Sequence, residues 1–267
     1  MLPPILEVKE LSLFYDSICA ASDINFTLNK KDILGIAGES GSGKSTLLKA
    51  IIDPIGYNVN IKSGCIIFKG KNMLKFSPLE YNKIKGSEIA MVIQNPYANF
   101  NPIRSYYKQF LETLKSHNQW YGPKTIEKVL NIFKELGLKN GEHILNSCPY
   151  ELSGGMNQRV SIALSIVLKP VLLLADEPTS ALDVVSALQV IKQFQILREK
   201  YDISIILVSH NLSVIAKTCN KIAIMYEGKI LEYGSTKDVL LNPVHPYTKS
   251  LLKAIPKVNS SLLEELN

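Results

Sequence analysis

Four short stretches of this chain hold residue types suited to phosphate chemistry. The first, "GESGSGKST", runs from Gly38 to Thr46. It fits the pattern GxxxxGK[ST] at every fixed position. Gly38, Gly41 and Gly43 let the backbone curl until its N–H groups point at phosphate oxygens, and Ser40 and Thr46 complete the cradle. Lys44 is placed to reach β- and γ-phosphates, and the Ser45 hydroxyl to ligate Mg²⁺. The second stretch, "VLLLADEP", ends a buried apolar run with Asp176, a second Mg²⁺ ligand, directly or through water. Its neighbour Glu177 reads as a general base or as the group that orients an attacking water. The third, "ISIILVSH", ends on His210, a γ-phosphate contact. The fourth, "MVIQNP", carries Gln94, whose amide can reach Mg²⁺ or the water and is the least specific signal of the set.

A fifth stretch raises a question. "YELSGGMNQRV", Tyr150 to Val160, is a polar turn with two glycines opening an apolar helix. By itself it reads as an anion site at a helix start. The chain already has one phosphate loop, so a second must serve another purpose.

The elements that position these residues follow from periodicity. Residues 5–14, 24–30 and 33–37 alternate or run apolar as strands do, and 64–69 reads as another short strand. A helix follows the glycine loop over about 45–52. From about 94 to 149 the texture changes to helical spacing over 105–116, 123–136 and 140–146, separated by Gly and Pro. A helix is expected at about 155–168, then strand "VLLLAD", a helix at 184–200, strand "ISIILVS", a helix at 211–217, and strands "KIAIMY" and "ILEYG". Alternation of strand and helix predicts an α/β fold with a mostly parallel sheet. The expected layout is an ATPase-type domain over 1–235 with a helical insertion at about 95–155. A short C-terminal extension of short helices follows over 236–267.

Composition narrows the class. Of 267 residues, 46% are apolar and 20% charged, enough to bury a core. The net charge of +6 is spread along the chain, with no basic stripe of the kind nucleic-acid binding needs, so no nucleic-acid partner is expected. Cys19, Cys65, Cys148 and Cys219 lie far apart without a CxxC pair, which points to reduced thiols rather than a disulfide framework or metal site. The N-terminus lacks the pattern of a signal peptide. The longest apolar stretch is broken by Lys169 and Pro170, too short to span a bilayer. Work at a membrane would go through a partner.

Taken together and in this order, "GESGSGKST", Gln94, "LSGGMNQR", "LLLADEP", "SALD" (Ser180 to Asp183) and His210 resemble the ATP-binding cassette (ABC) ATPases over about residues 5–235. The resemblance implies a P-loop NTPase core with an N-terminal antiparallel β subdomain and an inserted helical subdomain. It implies ATP and Mg²⁺ as ligands and a head-to-tail dimer with a second ATPase subunit. Ser153, Gly154 and Gly155 would then touch the γ-phosphate of the nucleotide held by the partner. Asp183 would couple the two sites, and Tyr15, twenty-three residues ahead of Gly38, would stack on adenine. A single cassette with no membrane span resembles the separate ATPase subunits of bacterial importers. These sit peripherally on the cytoplasmic face of the inner membrane, beneath two permease subunits, and are served indirectly by an extracytoplasmic solute-binding protein. "QNPYANFNP" and "NPVHPYTKSLL" resemble segments of peptide and nickel importer ATPases, in which two paralogous cassettes commonly pair. Tyr97 and Phe100 are expected to offer the permease an apolar socket. Several members of the resembled peptide importers carry a longer cysteine-bearing tail that holds an iron–sulfur cluster; with no cysteine after Cys219 no cluster is expected here, and the short tail tilts the solute toward nickel or a metallophore. His245 of "HPYT" reads as packing rather than metal ligation. A non-transport ABC protein acting on nucleic acid or ribosomes, the alternative, carries two cassettes or a long coiled coil. The insertion here is short and lacks heptads.

Overall fold

A computed structural model describes residues 3–180 and 182–253 of the chain. Its elements, in chain order, are strands β1 (Leu6–Tyr15), β2 (Ile18–Leu28) and β3 (Ile33–Ala37), helix α1 (Lys44–Ile52), strands β4 (Asn60–Phe68) and β5 (Lys71–Asn72), helix α2 (Pro78–Ile84) and strand β6 (Ile89–Val92). Helices α3 (Tyr106–Ser116), α4 (Pro123–Glu135), α5 (Gly141–Asn146) and α6 (Gly154–Ile166) follow, then β7 (Leu172–Asp176), α7 (Val184–Lys200), β8 (Ser204–Val208) and α8 (Leu212–Thr218). The chain continues through β9 (Lys221–Tyr226), β10 (Lys229–Ser235), α9 (Thr236–Leu241) and α10 (Pro246–Lys253).

The strands form two sheets. One is antiparallel, in the order β2-β1-β4-β5; the other has six strands in the order β10-β9-β3-β8-β7-β6, parallel except where β10 pairs with β9. The short apolar runs of β3, β7 and β8 are explained by burial on both faces. Side chains alternate across a strand. Ile33, Leu173, Ile205 and Leu207 therefore enter a core shared with α3–α8. Leu34, Leu172, Leu174 and Ile206 enter a second core shared with α1 and the antiparallel sheet. The large sheet is thus the wall between two cores.

Two expected boundaries move. β2 begins at Ile18 rather than near residue 24, and β4 begins at Asn60 rather than near 64. The early halves of both are half-exposed and lack an apolar stripe, so periodicity does not reveal them; pairing with β1 does. Helix α2 is an addition. It starts with a capping box in which Ser77 and Glu80 exchange side-chain-to-backbone bonds, followed by Pro78 at its first position. Phe100 is also not the exposed socket residue expected. It is 5% exposed and packs edge-on against Tyr106 with ring centroids 4.9 Å apart. Tyr97, by contrast, is exposed. All four cysteines are free.

Candidate functional site

The phosphate-type loop joins β3 to α1 and is wedged between two other elements. A Cβ at Gly38 would lie 2.0 Å from the Met225 carbonyl oxygen of β9. At Gly43, which caps α1 at φ 95°, a Cβ would lie 2.4 Å from the Ala20 carbonyl oxygen of β2. Only glycine fits both places. The loop is thereby held against both sheets.

Lys44 is buried, 5% exposed, and its Nζ donates to the carbonyls of Gly38 (2.9 Å) and Glu39 (2.5 Å) and to Ser42 Oγ (3.2 Å). Burial holds its pKa below the usual lysine value, against the pull of Glu177, Asp176 and Glu39. Ser45 Oγ donates to Asp176 Oδ1 at 2.8 Å, across 131 residues of sequence. Burial pushes Asp176 above the ordinary carboxylate value, the Ser45 bond pulls it down, and the charge of Glu177 adds to the rise. Hydroxyl plus carboxylate is a hard-oxygen pair that suits Mg²⁺.

Glu177 follows the end of β7 at φ 44°, a left-handed conformation uncommon for a side-chain-bearing residue. Its N–H donates to the Val208 carbonyl of β8 at 3.0 Å, so the neighbouring strand fixes the turn. Its Oε2 lies 3.1 Å from His210 Nδ1, just beyond the end of β8.

A cavity of about 650 Å³ opens above the loop. Tyr15, Ser40, Gly41, Gly43, Lys44, Ser45, Thr46, Gln94 and Glu177 line it. Ile18, Cys19 and Ala20 of β2 and Glu227 and Gly228 of the β9–β10 turn line it too. Single-sequence reading offers no signal for these, because only the sheet pairing brings them here. His210 lines an adjoining cavity of about 320 Å³ with Leu182 and Val184, and Glu177 stands between the two.

The structure keeps Ser153, Gly154, Gly155 and Asp183 out of this cavity. Ser153 caps α6 by accepting the Met156 N–H at 3.3 Å. A side chain at Gly154 would meet nothing within 4 Å, so this turn is open outward. Asp183 caps α7 through the N–H and hydroxyl of Ser186, and these bonds lower its pKa. Gly155 packs on that same Ser186: a Cβ there would lie 2.7 Å from its Oγ. A residue not singled out from sequence holds the turn. Asn157, fully buried, donates to the carbonyls of Pro149, Leu152 and Ser153 at 3.0–3.1 Å and accepts the Tyr106 hydroxyl.

His245 Nδ1 accepts the Tyr247 N–H at 3.1 Å.

Comparison with known proteins gives a consistent picture. The sequence profile of the family described as ABC transporter matches residues 21–180, and that described as oligopeptide/dipeptide transporter, C-terminal region, matches 231–266. The metal-staphylopine import system ATP-binding protein of Staphylococcus aureus strain Mu50 is 43% identical over 258 residues, covering 96% of this chain and 94% of its own. The dipeptide transport ATP-binding protein of Lactococcus lactis is 37% identical over 263 residues, covering 97% and 75%. Among solved structures, cbiO1 of Clostridium perfringens, part of the ABC transporter complex cbiONQ, superposes with a TM-score of 0.79 at 26% identity, covering 99% of this chain and 98% of that one. The ADP- and phosphate-bound dimeric cassette MJ0796 shares the fold, with a TM-score of 0.74 at 24% identity, covering 86% and 98%.

Proposed function

This chain belongs to the ABC transporter family, and from that premise we propose that it is the ATP-hydrolysing subunit of an importer for metal chelates or peptides. The observation that carries the chemical part is the meeting of Ser45 with Asp176, with Glu177 the next residue and His210 against it.

The residues divide the work as follows. The loop amides and Lys44 bind the β- and γ-phosphates, and Lys44 exchanges its carbonyl partners for phosphate oxygens. Ser45 and Asp176 would hold Mg²⁺, which when bound neutralises charge shared between those phosphates. Tyr15 stacks on the base. Gln94 orients the attacking water, and Glu177 takes its proton as the water oxygen bonds to the γ-phosphorus. The bond from that phosphorus to the bridging oxygen breaks, and its electron pair leaves with ADP. His210 holds the Glu177 carboxylate in place.

The outward turn Ser153-Gly154-Gly155 supports a head-to-tail dimer, in which this turn closes the partner's site and the partner's closes this one. The second cassette is identical or paralogous. Two permeases then sit above a groove of about 260 Å³ between β6 and α6, lined by Ile89, Met91, Asn99, Thr113, His117 and Ser165. Among the described residues no helix is long and apolar enough to cross a membrane, so the proposed place at the cytoplasmic face rests on those permeases. The metal-chelate reading is favoured over peptides by the higher identity to the staphylopine-system relative, 43% against 37% for the dipeptide one.

Glu177→Gln tests the assignment. The variant is expected to bind ATP with unchanged affinity, to accumulate as a closed dimer on size exclusion, and to hydrolyse at least about a hundredfold more slowly. Hydrolysis at the normal rate would remove Glu177 from the role of base.

A further inference from the structure

The chemistry above uses nothing from the segment after β10, yet that segment reaches the phosphate loop. Tyr247 in the first turn of α10 accepts the Glu39 N–H with its hydroxyl at 3.2 Å, across 208 residues of sequence. Its ring lies on that of Tyr226, with centroids 4.2 Å apart and planes tilted by 36°. Tyr226 ends β9 and immediately precedes Glu227 and Gly228, two lining residues of the nucleotide cavity. One side chain of the tail thus touches the residue before Ser40 and the residue before Glu227, two lining residues on different sides of the chain's fold.

The tail is itself fastened. Glu232 on β10 accepts the backbone N–H groups of Val244 (3.2 Å) and His245 (2.6 Å), and His245 Nδ1 accepts the N–H of Tyr247. Thr248 is fully buried beside them. These bonds set the start of α10, and with it the position of the Tyr247 hydroxyl.

We infer that Tyr247 is a positioning residue for the phosphate loop, fixing the Gly38–Glu39 peptide and so raising the loop's affinity for the nucleotide phosphates. The Gly38–Glu39 peptide is gripped from both sides: its N–H, on Glu39, goes outward to Tyr247, and its C=O, on Gly38, accepts Lys44 Nζ at 2.9 Å. An amide held this way cannot rotate to present its N–H where its C=O now lies. That orientation keeps Lys44 inside the loop, beside the amides that receive the phosphates. A loop already in its binding shape does not spend affinity on ordering. Net burial of the Tyr247 phenol raises its pKa, opposed by the Glu39 N–H and assisted by the Glu39 carboxylate, so the hydroxyl remains intact at neutral pH.

This inference rests on the nucleotide-site reading above, and the experiment separates the two. MgADP is titrated by calorimetry into the full-length chain as wild type, Tyr247→Phe, Tyr247→Leu and Lys44→Ala. Tyr247→Phe keeps the ring on Tyr226 and loses only the hydroxyl. Its Kd is expected to rise about three- to tenfold, the range of one neutral hydrogen bond, at unchanged binding stoichiometry and unchanged melting midpoint of the nucleotide-free protein. Tyr247→Leu, which also loses the ring contact, is expected to raise Kd further. A merely structural tail would instead lower the stoichiometry or the melting midpoint and leave Kd where it was; that result, or an unchanged Kd in Tyr247→Phe beside lost binding in Lys44→Ala, overturns the inference. If Lys44→Ala binds MgADP like wild type, the nucleotide-site reading fails first and takes the inference with it.

Discussion

Asp176 shows how a single side chain carries both function and cost. Burial raises its pKa from the ordinary 3.8, so the folded chain holds the proton more tightly than the unfolded chain does. The ionised form therefore costs stability. That cost is absent below pH 3.8, grows as pH rises through the folded value, and is present in full above it. Asp176→Asn is expected to raise the melting midpoint of the nucleotide-free protein at pH 7 by about 2 °C, with the gain disappearing below about pH 4. The same variant should lose the added stability that ATP with Mg²⁺ confers. Scanning fluorimetry across pH, with and without MgATP, reads both effects. Residues of this kind were legible because the loop, Asp176, Glu177 and His210 sit at ends of apolar runs, where spacing and residue type coincide. Tyr247 was legible only as a motif. Its contact with Glu39 depends on where a distant helix docks, and no local pattern encodes that.

Elements place the signature turn, and Asn157 is the residue that ties them together. It sits inside α6 but bonds backward to the turn before the helix and sideways to Tyr106 of α3. Asn157→Ala leaves several buried polar groups without partners. The expected cost is about 2–4 kcal/mol, measurable as a lower urea midpoint. Why Asn157 escaped notice in the sequence is physical: an amide inside an apolar helix looks like a solvent-facing residue until its neighbours are known. The same limit hid the early halves of β2 and β4, which are strands because β1 lies between them and not because their own pattern demands it. Central strands and long helices were readable, since double-sided burial and helical spacing leave unmistakable runs. Phe100 misled because prolines and aromatics look alike in a dock and in a core.

At the scale of the molecule, the separation of Ser153 from Lys44 bears on the proposed head-to-tail dimer. A chain that closes its own site has no use for a glycine turn opening outward. Ser153→Arg places a bulky cation in that turn. Nucleotide binding to this subunit is expected to stay unchanged, while ATP hydrolysis by the assembled transporter falls by about a hundredfold or more. Reconstituted ATPase assays measured beside nucleotide titration of the single chain make the comparison; full activity would exclude action in trans. The order of strands in the large sheet has a further consequence, in time rather than space. β3, which carries the phosphate loop, pairs among the described residues with β8 and β9 alone. During synthesis it leaves the ribosome early and stays an unpaired, wholly apolar edge until those strands emerge some 170 residues later. The nucleotide site cannot exist on a nascent chain shorter than β9, and over most of its synthesis the protein depends on whatever shields that edge from other strands.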